Sequence, residues 1–317
     1  MTTDSKSAAK VLLLDADQEG AKHIARVLRP ALEEVEILSK VEEVQRSDGW
    51  SLLLANYDHL DMEQSESLFG LCKGDRKLLL YSSRSNRGEF ADLFGRFGLM
   101  NLLAKSPEVD GAELLVTMQK LLRNDVFGLH KYFPWGVPTQ RFTVRRASLR
   151  EQTIDSVCAF GADVKAPRRL VELYRTVADE LITNAIYNAP VDANGHALYG
   201  HLPRTEEVEL AADQEIKVTT CCDGQKLGIS VEDPFGSIQQ GQVLDYLSKC
   251  FRKGTDQVDT KEGGAGLGLY YVFESLSHFV VNLAPGKRTE MLGLLDIRGS
   301  YRDFTSKPKS FNIFVEK

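Results

Sequence analysis

The features of a secreted, membrane-bound or nucleic-acid-binding chain are scarce in these 317 residues. There are only five cysteines (Cys72, Cys158, Cys221, Cys222 and Cys250), and none forms a CxxC pair. Neither a disulfide framework nor a paired-thiolate zinc site is expected, and all five read as reduced thiols. Cys221 and Cys222 adjoin in a strand-like run, where alternation sends them to opposite faces. No apolar stretch approaches the roughly 18–20 residues that a membrane helix needs, and the first ten residues hold no apolar signal core. A cytoplasmic protein without a membrane partner is the expectation. Positive charge does not dominate either: 39 Lys and Arg stand against 45 Asp and Glu, for a net charge of −6. Without a dense basic stripe, nucleic acid is an unsupported partner. A GxxxxGK[ST] loop is missing too, and the glycine-rich run that does occur lies far from any first strand. The dinucleotide βαβ pattern is therefore a poor match.

The length suits two domains, each with a core of its own. The expected division is 8–124, a connecting segment 125–140, and 141–317. In the first part, apolar runs at 11–14, 35–38, 51–54, 77–81 and 99–103 alternate with amphipathic helical patterns, the signature of a parallel sheet. Five such strands predict a small doubly wound α/β domain. Ligands of such sheets gather at the carboxyl ends of the strands, where this chain offers Asp15, Asp17, Ala55-Asn56, Ser82-Ser83 and Lys105. The segment 125–138 combines helix breakers with large apolar side chains, so it is expected to pack between the domains rather than hang free.

The second part carries three ordered strings. In the first, a helical pattern over 167–189 places Glu180, Asn184 and Asn188 at i, i+4 and i+8, opposite a stripe of Leu181, Ile182, Ala185 and Ile186. That row is either a solvated face or one wall of a polar site. Next, a strand over 226–231 runs into Asp233 and a turn at Gly236. Last, Gly263-Gly264-Ala265-Gly266-Leu267-Gly268-Leu269 opens a helix continued by Tyr270, Val272, Phe273 and Leu276. Such a run is either a plain connector or a phosphate cradle backed by the positive end of a helix.

In this order the strings resemble those of the GHKL superfamily, whose ATP-binding domain has the Bergerat fold, and the resemblance covers 141–317. It implies a C-terminal α/β sandwich that binds ATP and Mg²⁺. Asn184 would ligate the metal with Asn188 beside it, and Asp233 would accept the adenine amino group above the Gly236 turn. Gly264, Gly266, Leu267 and Gly268 would edge the phosphates, with Arg252 and Lys253 within reach of them and 254–262 forming a lid. Ser310 matches a hydroxyl near the base less closely. Pro234 and Phe235 depart from the usual first glycine box. Glu180, one turn before Asn184, resembles the arrangement of anti-sigma-factor serine kinases, which implies a general base. His130 lies in no helical hairpin, so self-phosphorylation on histidine is not expected; nor is metal binding by His196 and His201 in the long 190–213 segment.

The first 120 or so residues resemble a response-regulator receiver domain. Asp15 and Asp17 match its metal-holding acids, Ser82 or Ser83 its hydroxyl, and Lys105 its lysine. The acceptor position falls on Ala55 or Asn56, neither of which is a carboxylate, so the resemblance implies a pseudo-receiver that acts through protein contact. Asp58 and Asp61 read as solvated loop acids. The functional expectation is a signalling protein, an anti-sigma-type serine/threonine kinase or ATPase with a regulatory protein partner, a Ser/Thr acceptor protein and a homodimeric arrangement as candidate partners. The alternatives are a non-catalytic ATP-dependent interaction switch and an ATPase whose turnover drives dimer closure.

Overall fold

The computed structural model describes residues 9–192, 194–253 and 265–317. The chain is α/β and divides into two compact units, one built from 9–84 and 99–125, the other from 85–98 and 126–317. The segment 85–98, which the sequence pattern groups with the first domain, clusters with the second unit.

The first unit alternates strand and helix: β1 (Lys10–Leu14), α1 (Gln18–Leu28), β2 (Glu34–Leu38), α2 (Val41–Arg46), β3 (Trp50–Asn56), α3 (Met62–Leu71) and β4 (Lys77–Ser82). After α4 (Arg87–Gly95), which belongs to the other unit, it closes with β5 (Asn101–Ala104) and α5 (Gly111–Arg123). All five strands pair in parallel, in the order 2-1-3-4-5. Leu12, Leu13, Leu52, Leu53, Leu54 and Leu79 are fully buried at its centre. Continuous leucine runs are what a sheet covered on both faces requires.

The second unit continues with β6 (Thr139–Val144), α6 (Arg150–Asp163), α7 (Arg168–Thr183), β7 (Ile216–Cys222), β8 (Lys226–Asp233), α8 (Gln240–Lys253) and α9 (Ala265–Glu274). It ends in β9 (His278–Ala284), β10 (Arg288–Asp296), α10 (Tyr301–Ser306) and β11 (Ser310–Val315). Its sheet runs 11-9-10-8-7-6; only the β11–β9 pair is parallel, and the other pairs are antiparallel. α7 packs on β8 and β10, with α6 beside it and α9 on its other flank. Its buried residues Leu170, Tyr174, Val177, Ala178, Leu181 and Ile182 fall at helical spacing, so the amphipathic pattern alone aims this helix at the sheet. Phe90 and Phe94 of α4 pack against Phe251 and Phe273 in the same unit. The aromatic segment after residue 125 lies on this unit's sheet, with Phe133 against Gly228 and the Gly128 N–H donating to Glu290 at 2.8 Å.

Candidate functional site

Strand parity builds the floor of a polar recess in the second unit. Along β8, Val231 and Asp233 share one face, and β10 sets Met291 and Thr289 directly opposite them. All four line a cavity of about 320 Å³ whose wall is α7, through Leu181, and the turn that continues it, through Asn184 and Asn188. The segment between α7 and β7 contributes Val191, Ala197 and Gly200 to the same cavity, and α8 contributes Tyr246.

Asp233 is 6 % exposed. Burial pushes its carboxyl up to about 6, while the N–H groups of Phe235 and Gly236, donating to Oδ1 at 3.0 and 3.4 Å, pull in the other direction. The Thr289 hydroxyl also favours the charged form, yet it is buried without a well-formed hydrogen bond of its own. A carboxylate and an unpaired hydroxyl on adjacent strands, both at one recess, await polar atoms from a ligand or water. Gly236 makes the turn beneath them with φ +57°, and a Cβ there would overlap the Ala284 carbonyl oxygen. Only glycine meets both demands.

The polar row of α7 forms a hydrogen-bonded file. Asn184 Nδ2 donates to Glu180 Oε1 at 2.9 Å, Asn188 Nδ2 donates to Asn184 Oδ1 at 2.5 Å, and Arg204 Nη2 donates to Asn188 Oδ1 at 3.0 Å. Here the helix widens into a π-turn over Asn184–Asn188, closed by Ala189 N–H to the Asn184 carbonyl at 2.9 Å. Such single turns recur at functional positions. Burial raises the Glu180 carboxyl above the ordinary glutamate range, against the Asn184 amide and the nearby Arg204 charge.

The glycine run meets this file from the other side. Gly266, Leu267 and Gly268 lie in the first turn of α9 rather than in a loop, and a Cβ on Gly268 would overlap the Glu180 carboxylate. Gly268 therefore serves close helix packing against the acid. Gly264 and the expected lid at 254–262 lie outside the described residues, as does the side chain of Lys253. Arg252 is engaged by Asp92 at 3.5 Å. Ser310 opens β11 and pairs with His278, apart from the residues lining the cavity; the hydroxyl on the strand position facing Asp233 is that of Thr289. Sequence reasoning missed Thr289, a β-branched residue unremarkable in a strand, and Arg204, which only the fold of 190–211 brings to Asn188.

His196 pairs with Asp192 at 3.3 Å, His201 is exposed, and no metal-binding group of three or more His, Cys, Asp or Glu occurs among the described residues. A second recess lies on the opposite sheet face, but its buried acid Glu290 is satisfied from within by Gly128 N–H, Ser230 Oγ and Asn282 Nδ2 at 2.7–2.8 Å.

In the first unit, Asp15 is buried and held by Tyr81 Oη at 2.5 Å and Asn56 Nδ2 at 2.9 Å. Asp17 instead caps α1, accepting from the Glu19 and Gly20 N–H groups, and Asp61 caps α3. Asp58 is not a solvated loop acid. Its side chain is 15 % exposed and faces Ser82, Ser83 and Lys105, because a 3-10 turn over Tyr57–His59 folds it back across the strand ends.

No protein-family model matches this chain, and no curated protein matches it. One solved structure, described as a GCN5-related glucosamine N-acetyltransferase region in a fungal multi-domain GH3 β-N-acetylglucosaminidase, aligns at 11% identity with a TM-score of 0.26. The alignment covers 73% of this chain but spans only 25% of that one, and a likeness of this size carries no argument. Among the described residues, no helix is long and apolar enough to cross a membrane.

Proposed function

We propose that the second unit is a Mg·ATP-binding module of the Bergerat kind, that the first is a receiver-like unit without a usual acceptor, and that the protein is a cytoplasmic signalling kinase or ATPase of anti-sigma type. The observation that carries this reading is the convergence of Asp233, Thr289, Asn184 and Asn188 on one cavity, with Glu180 at the end of the same hydrogen-bonded file. The donor set fits a nucleotide: a buried carboxylate and an unpaired hydroxyl at one end suit an amino-bearing base, and side-chain amide oxygens suit a hard cation. Mg·ATP, when bound, would supply a transferable phosphoryl group whose charge the metal screens.

The roles of the chain's own residues follow from their chemistry. Asp233 accepts the base's amino N–H and Thr289 supports it. Asn184 presents Oδ1 to the cation, and Asn188 holds that amide in place. Glu180 has one oxygen occupied by Asn184, and the other takes a proton from a hydroxyl or a water; its raised pKa suits that work. The hydroxyl belongs to a Ser or Thr of a partner protein if the reaction is transfer, and to water if it is hydrolysis.

Calorimetry of the full chain with Mg·ATP is the test. Saturable binding with a Kd in the micromolar to sub-millimolar range is expected, roughly −5 to −8 kcal/mol; no binding up to millimolar nucleotide would remove the assignment. A turnover assay with and without acceptor proteins then separates transfer from hydrolysis, and binding without turnover would leave the interaction switch.

A further inference from the structure

The recess on the sheet face turned away from Asp233 bears opposite charges at its two ends. Register places Arg141 of β6, Thr219 of β7 and Ser230 of β8 in one cross-strand row, and Glu290 lies one strand further on, in β10. All four line a cavity of about 390 Å³, together with Leu129, Phe133 and Trp135. At the inner end Glu290 is buried, and its hydrogen bonds come from neutral donors: Ser230 Oγ to Oε1, the Gly128 N–H and Asn282 Nδ2 to Oε2. They satisfy the acid without pairing its charge, for no Lys, Arg or His among the described residues forms an ion pair with it. Oε1 accepts only from Ser230 and has capacity for a further donor. At the outer end Arg141 is exposed on the edge strand and makes no ion pair; Glu232, on the same sheet face, is taken by Lys217 at 3.1 Å. Trp135, in a turn with Gly136 at φ +86°, is fully exposed.

An anion and a cation held apart along one partly apolar recess suit a molecule that carries both charges itself. Three strand spacings separate the two backbones, about 14 Å, and the long guanidinium arm reduces the gap between the charges to the scale of one small zwitterion. A lone carboxylate would meet the field of Glu290, and a lone amine that of Arg141. We propose that this recess binds a free α-amino acid with an apolar side chain. Its carboxylate pairs with Arg141, its ammonium with Glu290, and its side chain packs against Leu129, Phe133 and Trp135. The site does not depend on the nucleotide reading, although Glu290 adjoins Thr289 on β10 and the two recesses lie on opposite faces of the same strands.

The test is titration of the full chain with L-leucine and with L-phenylalanine, followed by calorimetry and by tryptophan emission. Of the two tryptophans Trp50 is buried, so a blue shift on binding reports cover over Trp135 and should vanish in Trp135→Phe. Saturable binding is expected with a Kd of about 0.1–3 mM, in keeping with so few heavy atoms. Isopentylamine and 4-methylpentanoate, which are leucine without its carboxylate or without its ammonium, should bind at least about tenfold more weakly. Arg141→Ala, at an exposed position that the fold does not need, should weaken leucine about tenfold, to the level of isopentylamine. Glu290→Gln should weaken it toward the level of 4-methylpentanoate, and Arg141→Ala carries the test if that buried variant does not fold. The proposal is overturned if neither amino acid gives a saturable response up to about 20 mM, if a singly charged analogue matches leucine, or if Arg141→Ala binds leucine like the parent.

Discussion

Asp58 and Asp233 are both acids at or just beyond the carboxyl end of a strand, and the two units treat them in opposite ways. Asp58 is saturated by donors from the chain, and its charge is stabilised. Asp233 is buried at an open cavity with two backbone N–H groups on one oxygen, and its charge costs the fold stability. A satisfied carboxylate is a structural part; a buried carboxylate at a recess is held ready for something else. Incompletely matched polar groups thus gather at the recess of the second unit, where the proposed nucleotide chemistry is placed.

The largest expected effect tests whether that open site does work. Glu180→Gln keeps the hydrogen bond with Asn184 but cannot take a proton, so ATP turnover should fall about 10³-fold while calorimetric Kd moves less than about threefold. A parental rate in this variant would remove the base. Asp233→Asn should weaken ATP about 100-fold, because the base's amino group would face a misplaced amide.

The same variant separates the two acids by sign. Below pH 3.8 Asp233 is protonated in both folded and unfolded chains; between 3.8 and about 6 only the unfolded chain has lost the proton; above 6 the folded chain bears the whole cost. A shift of that size corresponds to about 3 kcal/mol. Denaturant melts should therefore find Asp233→Asn more stable than the parent at pH 8, with the advantage gone by about pH 4. Asp58→Asn should behave oppositely, losing about 1–3 kcal/mol at neutral pH, with the loss fading as pH falls below 3.8 through the depressed pKa. Two variants shifted in the same direction at pH 8 would break the contrast. Smallest of all, Thr289→Val should weaken ATP about three- to tenfold and leave turnover at saturation near the parent's.

Much of this could be read from the residues alone. Alternating leucine runs and helical patterns predict the five parallel strands within two residues of β1 to β5, because binary patterning is local. The row Glu180, Asn184, Asn188 and the acid closing β8 were legible for the same reason. Long-range closure was not. Asp58 looks solvated until the 3-10 turn returns it over Ser82, and Thr289 acquires meaning only through its register with Asp233. Gly266 and Gly268 sit at loop-like spacing yet start a helix, and at Gly268 the near approach of Glu180 needs the absent Cβ rather than a flexible backbone.

Arg204 shows how a distant segment can decide which atoms the site presents. A guanidinium only donates, so the Asn188 atom it meets must be the oxygen; the amide nitrogen then faces Asn184, whose own nitrogen is turned toward Glu180. The order of oxygens and nitrogens along the file has one solution, written from the 190–211 end. The segment that looks like a cover over the cavity thus sets the polarity of its wall, and shortening it would leave both asparagines free to turn over while their backbone stayed where it is.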